Sequence, residues 1–251
     1  MKTIEFGEGR KKVAIVGSLH GNELIGKQVI EMLSKEKNLG ARIKGIIANE
    51  AAIKINKRFV DVDGNRCFPG KRNGNTEERM AFEVLHELEG YRYVIDIHST
   101  YAKMPDTIII TKRRALGLAR KVPIKKLVMM SRSIAKGKAI DDFPHECISI
   151  EFNRDTDANH VIKLVKATIR NIIEGKEAAV SKDSYVVKGV LGNTGKASGI
   201  ENYRLVKEGD PVAVNNGELI RSRKRFYPIF IGEKGYKNVV CMMAFKSARM
   251  S

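Results

Sequence analysis

The chain has 251 residues, enough for one large α/β domain or a medium domain with a small satellite, and too many for a disulfide-stapled miniprotein. An apolar fraction of 43% with 30% charged residues allows a substantial core and excludes wholesale disorder. Lysine and arginine number 46 against 29 acidic residues, a net charge of +17, which brings polyanions into consideration as partners.

The segment from Met1 to Gly7 lacks the apolar stretch of a secretory signal. The longest apolar run, Val239 to Phe245, falls far short of the roughly 20 residues of a membrane span. A cytoplasmic protein without membrane association is therefore expected. From Lys12 onward, short β-branched runs alternate with stretches of helical period, the pattern of an α/β fold with a mixed central sheet flanked by helices. Strands are expected at Val13 to Gly17, Ile43 to Ala48, Tyr93 to Ile97, Thr107 to Thr111, Lys126 to Met130 and Cys147 to Phe152. Helices are expected at Asn22 to Lys35, Thr76 to Glu89, Arg114 to Lys121 and Asp157 to Glu174. After Gly175, turn dipeptides such as Gly209-Asp210 and Asn216-Gly217 punctuate short extended runs. The chain thus divides near Lys176 into residues 1–176 and a smaller C-terminal β unit, residues 177–251.

The basic charge is spread along nearly every segment, with no basic helix interleaved with aromatics, no helix-turn-helix signature and no aromatic RNA-binding strand. A solvated lysine-rich surface that steers small anions is the simpler reading, and nucleic acid is the less expected partner. Cys67, Cys147 and Cys241 are odd in number and far apart, and read as small buried hydrophobes.

Four segments carry chemistry. The first strand runs into Ser18-Leu-His20-Gly-Asn-Glu23, an imidazole and a carboxylate three residues apart at a strand end, where α/β sheets bind ligands. Such groups suit a catalytic zinc, which takes three protein ligands and leaves a position for water, although His20 alone would equally serve to cap the following helix. Next, Lys57 to Gly70 is a loop dense in turn residues that holds Arg58, Asn65 and Arg66. A guanidinium beside an amide makes a carboxylate clamp, and Arg58 is a candidate for stabilising a developing oxyanion, although either arginine taken singly reads as a solvated charge. The strand Tyr93-Val-Ile-Asp96-Ile-His98 places Asp96 and His98 on one face, so that the carboxylate either supports the imidazole or pairs locally. Finally, Glu151 sits late in the apolar strand from Cys147 to Asn153, where an unpaired carboxylate is costly unless it is used, for instance as a general base.

In this order the four segments resemble the aspartoacylase/succinylglutamate desuccinylase family, a branch of the zinc carboxypeptidase-like hydrolases. The resemblance rests on Gly21-Asn22-Glu23 after His20, the run Arg58 to Phe68, Asp96-Ile-His98, Glu151, and Tyr227-Pro-Ile-Phe230 with Glu233 and Tyr236. It implies one zinc per chain held by His20, Glu23 and His98, with Glu151 as general base and Arg58 polarising the scissile carbonyl. It also implies that Asn65 and Arg66 bind a substrate carboxylate, that Tyr236 lines the pocket, and that the C-terminal unit narrows the entrance so that small acylated amino acids enter. The expected activity is removal of an acyl group from a small anionic N-acyl amino acid or similar amide. A metallocarboxypeptidase that holds a terminal carboxylate with Asn65 and Arg66 is the alternative enzyme, and a polyanion-binding protein on the same fold is the alternative outside enzymes. Two positions depart from the family pattern. Asn153 stands where glycine is common, and Asp141 stands where aspartoacylases carry an arginine for the substrate side chain, which argues against N-acetylaspartate. Arg132 and the segment Lys136-Gly-Lys138 are candidate replacements. His145, six residues before Glu151, is a candidate for lining the cleft.

Overall fold

The computed structural model describes residues 1–131, 134, 137–144, 146–192, 195–236 and 238–250, without the side chain of residue 249. Its strands are β1 (Lys2–Phe6), β2 (Lys12–Gly17), β3 (Arg42–Ile47), β4 (Tyr93–Thr100), β5 (Thr107–Ile110), β6 (Lys126–Met130) and β7 (Glu146–Asn153). After these come β8 (Asp183–Gly192), β9 (Lys196–Ala197), β10 (Pro211–Asn215), β11 (Glu218–Arg221), β12 (Tyr227–Ile229) and β13 (Val239–Lys246). The α-helices are α1 (Ile25–Leu33), α2 (Glu50–Lys54), α3 (Thr76–Glu87), α4 (Leu116–Lys121) and α5 (Ala158–Glu174). Among the described residues, no helix is long and apolar enough to cross a membrane.

Ten strands form one mixed sheet in the order β1-β3-β2-β4-β7-β5-β6-β8-β13-β12. Its centre, β3-β2-β4-β7, is parallel, and β5 runs antiparallel to β7. The expected mixed α/β sheet is thus the fold observed. All eight residues of β4 are buried, as a central strand covered on both faces requires. Alternation sorts them: Tyr93, Ile95 and Ile97 join the core beneath α1, α4 and α5, whereas Val94 packs toward α3, on the face that also carries Asp96 and His98. The same period in β7 sends Ile148, Ile150 and Phe152 to the first core and leaves Cys147, Ser149 and Glu151 on the other face.

Helix ends follow local chemistry. Asn75 and Glu78 form a reciprocal capping box at the start of α3, and α5 runs from an Asp157 cap to a left-handed Gly175. Two elements lie outside the sequence expectation. β1 pairs antiparallel with β3 at the sheet edge, and α2 is a short helix capped by Asn49. α1 begins at Ile25 and not Asn22, because Gly21 to Leu24 form a turn that aims Glu23 inward. The position near Lys176 falls in the connection between α5 and β8. β8 pairs with β6, so β8, β13 and β12 continue the central sheet, while β9, β10 and β11 form a separate three-stranded sheet whose β10–β11 hairpin turns at Asn216-Gly217.

One buried carboxylate holds the long loop between α2 and α3. Glu77, fully buried, accepts hydrogen bonds from the backbone N–H groups of Val60, Asp61 and Val62 at 2.7, 2.9 and 3.2 Å and from the Asn49 amide at 3.0 Å. Burial opposes its ionisation, but these donors outweigh that cost and hold its carboxyl below the usual range. Its contribution is present above the unfolded-chain pKa and is lost as pH falls through the lowered native value. Glu77→Ala leaves three loop donors unsatisfied and should cost roughly 3 kcal/mol of stability near neutral pH. Urea unfolding would show this as a lower midpoint, with a smaller deficit in acid; an unchanged midpoint would remove Glu77 as the anchor of the loop.

Candidate metal centre and active-site pocket

β2 ends at Gly17, which packs so closely on α1 that an added Cβ would lie 2.5 Å from the Gly26 carbonyl carbon. This contact seats the helix over the strand end and lets the intervening turn hold its side chains rigidly. Ser18 takes a positive φ of 53° and its hydroxyl donates to the Glu23 carbonyl at 2.9 Å, closing the turn. Glu23 and His20 therefore emerge at the C-terminal edge of the sheet, between β2 and β4. There the strand order reverses direction, which is where open α/β sheets leave a crevice.

The Glu23 carboxylate is shared between two imidazoles. Its Oε1 lies 2.8 Å from His20 Nδ1 and its Oε2 lies 3.0 Å from His98 Nδ1, while the Ser99 N–H donates to Oε2 at 3.0 Å. Each histidine turns its other nitrogen to an aspartate, His20 Nε2 to Asp63 at 3.2 Å and His98 Nε2 to Asp96 at 2.6 Å. His20, Glu23 and His98 are buried, and one donor atom from each lies within 4.8 Å of the others. Two imidazoles and a carboxylate, with both rings oriented by outer carboxylates, match the donor chemistry of a catalytic zinc site.

Charges around the group are strongly coupled. Burial alone would lower the His98 imidazole, but Asp96 and Glu23 overcome it and raise it well above its ordinary value; His20 is likewise raised by Glu23 and Asp63. Burial would raise Glu23, yet the two imidazoles pull it well below the usual carboxylate range. Asp63 is lowered in the same manner by His20 and Arg58.

Of the remaining expected site residues, Glu151, Asn65, Arg66 and Tyr236 line one pocket. His98 and Glu151 are register partners on adjacent strands, and the pocket is lined by both, together with Asn65, Arg66, Asp141 and Tyr236. Burial pushes the Glu151 carboxyl up to about 7, with Glu23 and Glu233 adding to the shift and His98 opposing it. Arg58 adjoins the metal group: its Nη1 donates to Glu23 at 3.0 Å and its Nε to Asp63 at 3.2 Å. Asn65 spends its carbonyl oxygen on the Ile140 N–H at 3.0 Å, so its amide N–H groups are what it can offer a ligand. Tyr236 arrives from the far end of the chain. Its loop is clamped by Glu233, whose carboxylate accepts from the Thr100 hydroxyl and from the Tyr101 and Gly235 N–H groups, each of the latter at 2.8 Å. Gly235 passes so near Arg58 that a Cβ there would sit 3.1 Å from the guanidinium carbon.

Asp63, Ser149 and Glu233 carry no role in the sequence pattern. Asp63 hid in a loop rich in acidic and turn residues, and Glu233 showed its use only once β4 and the β12–β13 connection were in contact. Asp141, read as a departure from pattern, is buried in the pocket wall, and burial next to Asp96 pushes its carboxyl up to about 7. Asn153 accepts from the Met104 N–H at 3.2 Å and so ties the end of β7 to the loop beyond β4. Arg132, Lys136 and His145 lie outside the described residues. His86 is exposed on α3, and His160 pairs with Asp106 at 2.6 Å, away from the metal group.

Residues 9–136 match the succinylglutamate desuccinylase/aspartoacylase catalytic domain. The chain is 25% identical to a probable aspartoacylase of Prochlorococcus marinus, over 94% of this chain and 93% of that one, and 25% identical to an aspartoacylase of Mus musculus, over 90% and 89%. Among solved structures, murine aminoacylase 3 superposes with a TM-score of 0.77 at 18% identity, covering 96% of each chain. A succinylglutamate desuccinylase/aspartoacylase from Rhodobacter sphaeroides does so with a TM-score of 0.72 at 15% identity, covering 98% of this chain and 87% of that one.

The donor set predicts one divalent ion per chain, with His20→Ala, Glu23→Ala and His98→Ala each abolishing stoichiometric binding in equilibrium dialysis followed by elemental analysis. Because the raised imidazoles must lose protons to ligate, ion uptake by chelator-stripped protein should release protons into weak buffer, and affinity should fall as pH drops. A Glu23→Ala variant that still holds one ion per chain would sink the site.

Proposed function

The chain belongs to the succinylglutamate desuccinylase/aspartoacylase family, and from that premise we propose that it is a zinc-dependent amidohydrolase removing the acyl group from a small N-acylated amino acid or similar carboxylate-bearing amide. The observation that carries this reading is the side-by-side placement of His98, in the His20/Glu23/His98 donor group, and Glu151, both facing one pocket. A zinc ion held by His20, Glu23 and His98 would supply an acidified water and a Lewis acid for the amide carbonyl.

The chain's own residues supply the rest. Glu151 takes a proton from the attacking water and delivers it to the leaving amine nitrogen. Its partial neutrality suits this exchange, since a carboxyl tuned toward 7 both accepts and returns a proton near neutral pH. Arg58, beside Glu23, places a fixed positive charge where negative charge develops on the carbonyl oxygen. Arg66 and the Asn65 amide bind the substrate carboxylate, the guanidinium through two N–H groups at once. Tyr236 closes one wall, and residues 177–251 narrow the entrance through the loop that Glu233 fixes. Arg154 and Lys234 stack on the exposed Tyr101 ring, just beyond the end of β4, at 4.3 and 4.4 Å, two cations that favour approach of an anion. The three unpaired cysteines are in keeping with a cytoplasmic setting.

The defining experiment is a screen of N-acetyl, N-succinyl and related amides and of short peptides, with amine detection, in the presence and absence of chelator. Chelator-sensitive release from N-acyl amino acids supports the proposal; activity confined to peptides would favour a carboxypeptidase, and salt-sensitive nucleic-acid retention by metal-free protein would favour polyanion binding.

Glu151→Gln should keep its metal and lose roughly 10²- to 10⁴-fold in kcat. In the unsubstituted enzyme, kcat/KM should rise with pH as Glu151 ionises, along a limb at or below about 7, because a bound cation favours the ionised form. That limb should vanish in Glu151→Gln. Arg66→Ala should raise KM more than it lowers kcat, as loss of a ground-state carboxylate contact requires; an unchanged KM would remove Arg66 from substrate binding.

A further inference from the structure

His98, Asp96, Ser149 and Asp141 form a buried row that runs from the metal group back to the pocket wall. Asp96 and Ser149 are register partners on β4 and β7, so their side chains share one face of the sheet. The short turn Ile140–Asp142 lays Asp141 against that face. His98 Nε2 lies 2.6 Å from Asp96 Oδ2, Ser149 Oγ lies 3.1 Å from the same oxygen, and Ser149 Oγ lies 2.7 Å from Asp141 Oδ1.

Those three contacts impose a proton count. Each is attractive only with a hydrogen between its heavy atoms. His98 supplies one from Nε2, and the Ser149 hydroxyl supplies a second. A hydroxyl has a single hydrogen, so it cannot donate to both aspartates. Asp96 Oδ2 is the one oxygen at both of its contacts, and a separation of 2.6 Å from an imidazole nitrogen suits an acceptor oxygen rather than a carboxylic O–H, which leaves Asp141 as the holder of the third. Its surroundings agree: Asp96, Asp142 and the Cys147 sulfur, 3.9 Å away, face it along with Ser149, and burial with the neighbouring carboxylates Asp96 and Asp142 favours its neutral form over the opposing influence of Ser149 and His98.

We propose that Asp141 is a neutral carboxylic acid that serves as a positioning residue for the metal centre. It donates to Ser149, Ser149 then donates to Asp96, and Asp96 holds His98 with Nδ1 turned toward Glu23. The other Asp96 oxygen has no hydrogen-bond partner among the described residues, so His98 and Ser149 are what fix this carboxylate. An ionised Asp141 would draw the Ser149 hydrogen to itself and leave Asp96 with the imidazole alone. The proposal rests on the reading of His20, Glu23 and His98 as metal ligands.

Three variants test it. Asp141→Asn keeps an N–H donor in place, Asp141→Leu removes the donor at similar volume, and Ser149→Ala cuts the row in its middle. Each chelator-stripped protein is titrated with Zn²⁺ alone, with circular dichroism following the fold. Asp141→Asn should bind like the unsubstituted protein, and Asp141→Leu should bind about 10-fold more weakly, the usual effect of losing outer support for a ligand. In a Ser149→Ala background, Asp141→Leu should cost nothing further. An infrared difference spectrum between the unsubstituted protein and Asp141→Asn, taken below neutral pH, should carry the C=O stretch of a protonated carboxyl. Unchanged affinity in Asp141→Leu, additive losses, or absence of that band would each overturn the proposal. Should Asp141→Leu fail to fold, an Asp141→Asn protein as weakened as Ser149→Ala would overturn it equally. If the unsubstituted protein binds no Zn²⁺, the metal reading itself falls, and the infrared band still decides whether Asp141 is protonated.

Discussion

The in-register parallel pairing of β4 with β7 sets Asp96 beside Ser149 and His98 beside Glu151, and the rest of the pocket is arranged around those two pairs. Both strands lie in the middle of the sheet, so their alternate residues have only two destinations. One set packs under α1, α4 and α5, and the other turns toward α3 and, at the ends of the strands, toward the pocket. Polar groups on the second set are removed from water, which is costly unless they satisfy one another. Asp96, His98, Ser149 and Glu23 do so through short contacts, and the result is a rigid donor group rather than a set of mobile side chains.

Around this centre, two loops from opposite ends of the sequence bring what the strands cannot. Residues 58–66 bring Arg58, Asp63, Asn65 and Arg66, and their backbone is pinned by Glu77 from α3. The loop after β12 brings Tyr236, pinned by Glu233 to the end of β4. In both cases one buried carboxylate collects backbone N–H groups that a loop would otherwise leave to solvent, so the loops gain the order that positioning requires. The close passage of Gly235 over Arg58 joins the two loops, so that a change in either is felt by the other.

The charge distribution divides the same way. A chain of net charge +17 gathers Glu23, Asp63, Asp96, Asp141, Glu151 and Glu233 around one pocket. Local carboxylates therefore create a place for a cation inside a surface that attracts anions. The proposed reaction asks for both, a cation held among the carboxylates and an anionic substrate drawn in from farther out.

Short apolar runs rich in β-branched residues determined the strands β2 to β7, and amphipathic spacing determined α1, α3, α4 and α5, because burial leaves a local signature in the chain. Strand-end position likewise made His20, Glu23, His98 and Glu151 legible, since ionisable groups at the close of apolar runs stand out. β1 has no clear sequence signal because an exposed edge strand needs only partial alternation, and α2 has none because five residues are too few to show a period. Only tertiary structure decided that β8, β12 and β13 extend the central sheet, that Asp63 and Asp96 orient the two imidazoles, and that Asp141 meets Ser149 across a turn. Those pairings join residues distant in the chain, and their energetics depend on burial and on which partner supplies each proton, neither of which any local stretch of residues encodes.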